Sequence, residues 1–184
     1  YSILKNCDVI LVCLPTPLKN KKPDMSFIYA CGKRLKKILK TYQLIILEST
    51  VFPGATIEFS KKFLNKEHIL GKNIFLGYSP ERENPGDETF SYKKTPKVVS
   101  GFSSKCLELT EKVYNHVVKK TVKAKSLDSA ESSKLLENLY RSVNIGLVNE
   151  LKMICDKLKI DVFEVIRLAS TKNFGFQKFV PGPG

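Results

Sequence analysis

Three short loops and one long helical segment hold most of the residues in this sequence that could do chemistry. The loops are Leu14-Pro15-Thr16-Pro17, Glu48-Ser49-Thr50-Val51-Phe52-Pro53-Gly54, and Ser79-Pro80-Glu81-Arg82-Glu83-Asn84-Pro85-Gly86. Each follows a short apolar run. Hydroxyls and carboxylates set beside rigid Pro/Gly turns can hold a polar ligand and accept a proton from it. On the helical segment, Lys134, Asn138 and Arg141 share one face, and Glu131 extends that stripe. A lysine and an amide on one helix face suit a developing negative charge. Asn138, Asn144 and Asn149 all fall inside the helix, where Asn is a poor former, so each amide is expected to bond something specific.

Each feature also has a plain structural use. Pro15 and Pro17 can stop a strand, and Thr16 can cap a turn. Ser49 or Thr50 can cap a helix, and Glu81 to Glu83 can form a surface charge cluster. The polar helix face can simply be wet. What favours a shared cleft is the recurrence of such loops at successive strand ends, because ligands of open α/β sheets bind beyond the carboxyl ends of the strands.

The elements that must position these residues alternate. Residues 8–14 and 43–47 read as strands buried on both faces, 73–78 and 97–100 as further strands, and 121–124 as a short one. Between them 26–40, a segment from Pro53 towards Lys66, and 103–117 read as helices. From Leu127, with Asp128 or Ser129 as cap, helical periodicity continues to about Leu158, followed by a shorter helix over 161–169. The expected fold is α/β: the C-terminal part of a doubly wound parallel sheet over 1–126, then a long central helix and a helical middle domain over 127–184.

Bulk properties restrict the classes. At 42% hydrophobic and 27% charged residues the composition is that of a soluble globular protein, and the longest apolar runs are too short to span a bilayer. The net charge of +13 raises a nucleic-acid partner as a rival. The cations are 27 Lys and only 4 Arg, scattered along the chain, whereas base reading favours Arg. The five cysteines match neither a zinc site nor a disulfide framework. They are expected to be buried or half-buried free thiols in a reducing cytoplasm. No metal site is expected.

Three strings carry a resemblance: ESTVFPGAT (48–56), GYSPERENPGD (77–87) and SSKLLENLYRSVNIGLVNEL (132–151). Together, in this order, they resemble the UDP-glucose/GDP-mannose dehydrogenase family. The tail TKNFGFQKFVPGPG (171–184) looks most like the UDP-N-acetylglucosamine 6-dehydrogenases of bacterial surface-polysaccharide synthesis. The resemblance implies two Rossmann-like domains joined by a long helix on which the enzyme dimerises, here 127–158. It implies oxidation of the sugar C6 alcohol to a carboxylate by two hydride transfers to NAD, through a cysteine thiohemiacetal and thioester. It places Pro15, Thr16, Ser49 and Thr50 at NAD, and Thr50 at a water. Glu81 becomes the general base of thioester hydrolysis, Lys134 the stabiliser of the C6 oxyanion, and Asn138 the group orienting that water or oxygen. Arg82, Glu83, Asn84, Arg141, Phe179 and Gly182 fall near the sugar. Pro85 stands where many UDP-glucose enzymes carry a second Glu, which favours an N-acetylhexosamine. UDP-N-acetylmannosamine and UDP-glucose are the alternative substrates, and hydroxyacid or 6-phosphogluconate dehydrogenases are the nearest rival type. No membrane or nucleic-acid partner is implied.

No Gly-x-Gly-x-x-Gly occurs, and the family's Gly-Gly-His-Cys element is expected just after Gly184. The chain therefore reads as a fragment lacking the pyrophosphate grip and the nucleophile. Alone it is expected to be poorly soluble or partly molten, and to oxidise no UDP-sugar. Formation of NADH by the purified 184-residue chain would contradict that expectation.

Overall fold

The computed structural model describes residues 2–82 and 94–183. After a 3-10 turn at Ser2–Asn6, the elements are β1 Val9–Val12, β2 Leu18–Lys19, β3 Lys22–Pro23, α1 Ser26–Leu35, β4 Leu44–Leu47, α2 Ala55–Phe63 and β5 Phe75–Tyr78. Next come β6 Lys97–Gly101, α3 Ser104–Asn115, β7 Thr121–Lys123, α4 Leu127–Leu158 and α5 Val162–Ala169. The contacts form two compact units, 1–135 and 136–184.

In the first unit, five strands form one sheet in the order β1-β4-β5-β6-β7. β4 is buried along its whole length because Leu-Ile-Ile-Leu serves two cores at once. Ile45 and Leu47 join Ile28 and Leu35 of α1 and Phe59 and Phe63 of α2 on one face. Leu44 and Ile46 join Cys106 and Tyr114 of α3 on the other. The sheet is doubly wound, as the alternation of elements implies. One junction departs from the expected parallel order: β5 and β6 run antiparallel, while β1, β4 and β5, and again β6 and β7, are parallel. Gly77 permits α3 to lie close on β5, since a Cβ there would stand 2.2 Å from Thr110 Oγ1.

Several boundaries differ from the sequence expectation for local reasons. α1 stops at Leu35 rather than Lys40, although Ile38 and Leu39 still pack on the core. Pro53 lies outside α2: Gly54, in the left-handed region at φ 89°, is the N-cap, and Ala55 opens the helix. That helix ends at Phe63, where Leu64 becomes extended. The cap of α4 is Ser126, whose Oγ accepts from Ser129 N–H, rather than Asp128 or Ser129. A small hairpin, β2–β3, was not anticipated. Its turn residues Asn20 and Lys21 both have positive φ, but Asn-Lys lacks the glycine that normally marks such a turn.

Glu131 corrects a larger expectation. It is not part of an open polar stripe but fully buried. Its carboxylate accepts from Gly54 N–H at 2.7 Å, Thr56 N–H at 2.8 Å and Thr56 Oγ1 at 2.5 Å. No side chain of its own caps α2, so this carboxylate from the first turns of α4 satisfies the donors at the α2 N-terminus. Charge and dipole agree there.

The second unit packs Val148 and Cys155 of α4 against Val162 and Ile166 of α5. Asp161 caps α5 by accepting from Phe163 N–H at 2.9 Å. Asn149 meets the polar expectation: its amide donates to Gly182 O and accepts from Gly182 N–H, each at 2.9 Å, which pins the Pro-Gly tail to α4. Among the described residues no helix is long and apolar enough to cross a membrane.

Replacing Glu131 by Ala strands three donors, two of them buried, and is expected to lower the unfolding free energy by about 3 kcal/mol. Glu131→Gln, which keeps one acceptor oxygen, should cost about half as much. Urea midpoints would measure both, and an unchanged midpoint for the alanine variant would show that Glu131 clamps nothing.

Candidate functional site

β1, β4 and β5 are parallel and in register, so their carboxyl ends deliver three loops to one edge of the sheet. A cleft of about 620 Å³ opens there, lined by Cys13, Leu14, Pro15, Glu48, Ser49, Thr50 and Glu81. Two hydroxyls brace its first two loops. Ser49 Oγ accepts from Leu14 N–H at 3.0 Å and donates to Leu14 O at 2.6 Å. Thr16 Oγ1 donates to Thr50 O at 2.7 Å. The anticipated residues Pro15, Ser49, Thr50 and Glu81 therefore share one hollow, and Thr16 ties its walls together.

Behind the cleft wall lies a charge cluster that sequence reasoning missed. Lys97 is only 3% exposed, and its Nζ stands 3.3 Å from Glu48 Oε1 and 3.3 Å from Glu81 Oε2. It also lies over the Tyr114 ring, 5.1 Å from the centroid. Glu48 Oε1 additionally accepts from the Tyr114 hydroxyl, and Glu48 Oε2 from the Cys13 thiol at 3.5 Å. The Oε1 of Glu81 accepts from Arg82 N–H at 2.7 Å. The available signal was a lysine opening the buried strand Lys-Val-Val-Ser, where a charge must find a partner.

Cys13 is exposed, against the expectation that all five thiols are buried or half-buried. Partial burial of the thiol, with the Glu48 carboxylate beside it, pushes its pKa up to about 11. A catalytic thiolate needs the opposite shift, so Cys13 lines the cleft without being equipped as a nucleophile.

The other anticipated residues are placed as follows. Lys134 is half-buried on α4 within the first unit. Asn138, Arg141, Phe179 and Gly182 belong to the second unit. There Arg141 donates to Asn138 Oδ1 at 3.2 Å. Phe179 packs edge-on to Tyr140 at 5.8 Å, and Asn144 donates to Tyr140 O at 2.8 Å. Arg82 donates from its guanidinium to Pro96 O at 3.4 Å, beside the cleft loop. Glu83, Asn84 and Pro85 lie outside the described residues. No group of three or more His, Cys, Asp or Glu able to hold a metal occurs among the described residues.

Hydroxyl-braced loops at the carboxyl edge of a doubly wound sheet, facing a carboxylate, lie where open α/β sheets bind their ligands. Residues 1–118 match the NAD binding domain of the UDP-glucose/GDP-mannose dehydrogenase family and residues 128–184 match its central domain, and the chain belongs to that family. It is 43% identical over 183 residues to Protein CapL of Staphylococcus aureus, covering 97% of this chain and 43% of that protein. It is 39% identical over 183 residues to UDP-N-acetyl-D-glucosamine 6-dehydrogenase of Pseudomonas aeruginosa, with the same coverage. The solved UDP-D-ManNAc dehydrogenase of Pyrococcus horikoshii superposes with a TM-score of 0.88 at 30% identity, over 99% of this chain and 44% of that one. The chain thus spans less than half the length of these relatives.

At pH 8, iodoacetamide should modify Cys13 at least tenfold more slowly than an ordinary exposed thiol, roughly as its smaller thiolate fraction requires. The rate should climb as pH approaches 11, where the thiol ionises. Peptide mapping by mass spectrometry reads the site, and rapid labelling of Cys13 at neutral pH would contradict the Glu48–thiol contact.

Proposed function

We propose that this chain is the cleft-forming part of an NAD-dependent UDP-sugar 6-dehydrogenase acting on UDP-N-acetylglucosamine. One observation carries the reading: Pro15, Ser49, Thr50 and Glu81, from three separate loops, line a single cleft at the carboxyl edge of the sheet. The family match and the naming of the Pseudomonas relative support it, as does the Pro-Gly tail.

The residues present fit one end of NAD. Ser49 and Thr16 have their hydroxyls committed to bracing the loops, which keeps the wall formed by Pro15 and Thr50 stiff against a flat ring. NAD supplies the hydride acceptor when bound. Everything else the chain can contribute is positioning and proton handling. Thr50 holds a water at the cleft wall. Glu81 takes that water's proton as its oxygen attacks the thioester carbonyl, and the sulfur leaves as thiolate. The ammonium of Lys134 offsets charge on the C6 oxygen, and Asn138 orients that oxygen or the water. Arg82, Glu83, Asn84, Arg141, Phe179 and Gly182 bind the sugar nucleotide, which the complete enzyme takes up as a homodimer built on α4.

The test uses the complete product of the gene that encodes this chain. NADH formation is followed at 340 nm with UDP-N-acetylglucosamine, UDP-N-acetylmannosamine and UDP-glucose. The first is expected to give the highest kcat/KM. Glu81→Gln should lower kcat by about 10²–10⁴-fold while kcat/KM changes little, because hydrolysis follows the steps that kcat/KM reports. Oxidation of none of the three would sink the reading. Preference for the manno epimer would correct only the substrate.

A further inference from the structure

We propose that Lys97 is a positioning residue that holds Glu81 in the orientation proton abstraction requires. The inference rests on the reading of Glu81 as the base.

Three observations lead to it. First, both oxygens of Glu81 are engaged: Oε1 by Arg82 N–H and Oε2 by Lys97 Nζ. The carboxylate lines the cleft and its side chain is 43% exposed. In water such a side chain samples several rotamers, so a fixed orientation needs a tether. Second, that tether is itself immobile. The Lys97 side chain is 3% exposed, and its ammonium is held on its other side by Glu48 and over the Tyr114 ring. Glu48 in turn is fixed by the Tyr114 hydroxyl and the Cys13 thiol. A lysine on the surface could not transmit position in this way; a buried one, paired on both sides, can. Third, the sheet supplies the placement. β5 and β6 pair antiparallel with Gly77 opposite Gly101 and Tyr78 opposite Ser100. Carried three residues on, that register sets Lys97 opposite Glu81. Had β6 run parallel to β5, its first residue would have lain at the opposite edge of the sheet, away from the cleft.

Lys97 touches neither the reacting carbon nor the water in this scheme. It acts through Glu81, and so on the step Glu81 serves. In that step water oxygen bonds to the thioester carbon, the carbon–sulfur bond breaks, the thiolate departs with the electron pair, and the water proton passes to Glu81. Both hydride transfers to NAD precede it. Loss of Lys97 should therefore leave the rapid formation of both NADH equivalents in the first turnover and slow the steady state that follows.

The experiment uses the complete gene product. Removing Lys97 alone would strand Glu48 in the interior, so Lys97→Met is made together with Glu48→Gln and compared with Glu48→Gln alone. Lys97→Gln on the same background provides a second variant that can still hydrogen-bond. The expected result is a further fall in steady-state kcat of at least about tenfold. The first-turnover NADH burst and the kcat/KM for the UDP-sugar should stay within about twofold, because both report steps that precede hydrolysis. In a Glu81→Gln background the same change should have no further effect, because the residue it acts through is already gone. An unchanged steady state in the folded Lys97→Met variant overturns the proposal, as does a Lys97→Gln variant that loses more activity than Lys97→Met. So does an equal loss in the Glu81→Gln background, which would mean that Lys97 acts independently, or a burst that falls in step with kcat, which would mean general disruption. A wild-type protein that oxidises no UDP-sugar is a different failure. It removes the role of Glu81, and with it that of Lys97, before any variant is made.

Discussion

The structure of the cleft depends on one ammonium group taken out of water. Lys97 sits almost fully buried between Glu48 and Glu81, and an unpaired charge at that depth would not be tolerated. Its presence dictates much around it. Glu48 must stay nearby and be held, which the Tyr114 hydroxyl does from α3 and the Cys13 thiol does from just past β1. The ends of β1, β4 and β5, the head of β6 and the helix α3 therefore meet in one cluster. The carboxylate that remains at the surface of the group, Glu81, lines the cleft. Replacing the whole cluster with apolar side chains could leave the fold as stable, since buried ion pairs seldom add net stability. What the cluster adds is a defined geometry at the cleft wall.

A second carboxylate does comparable work for the helices. Glu131 reaches from α4 to the N-terminus of α2 and satisfies backbone donors that no local side chain meets. The loop ending in Gly54 also contains Ser49 and Thr50, so the cleft wall and the start of the long helix are joined through one buried side chain. The left-handed turn at Gly54 is thereby tied to a residue roughly eighty positions further along the chain.

The site residues divide by how they could be found. Pro15, Thr16, Ser49, Thr50 and Glu81 were legible because turn-forming residues followed apolar runs of strand length, and parallel strands bring such loops to a common edge. Asn149 was legible as an amide needing a partner, and it finds one in the backbone of Gly182. Lys97, Tyr114 and Glu48 were not legible as a group. Each taken alone fits an ordinary context, and their meeting depends on a strand reversal that periodicity does not encode. Glu131 was misread for a related reason. Helical spacing told which face it shared with Lys134, but not that this face is covered at that turn.

By itself the sequence determined the local alphabet of the protein: where apolar runs would form strands buried on both faces, where helices would lie between them, and which loops would carry polar groups. Those outcomes follow from periodicity and turn chemistry, which act over a few residues. Only the tertiary structure decided that β6 runs antiparallel to β5, and hence which charge stands beside Glu81; it also decided, separately, that Glu131 closes the end of α2. Such choices are made by pairing and burial between segments far apart in the chain. A lysine at the head of a strand looks the same in either direction until its neighbour is known.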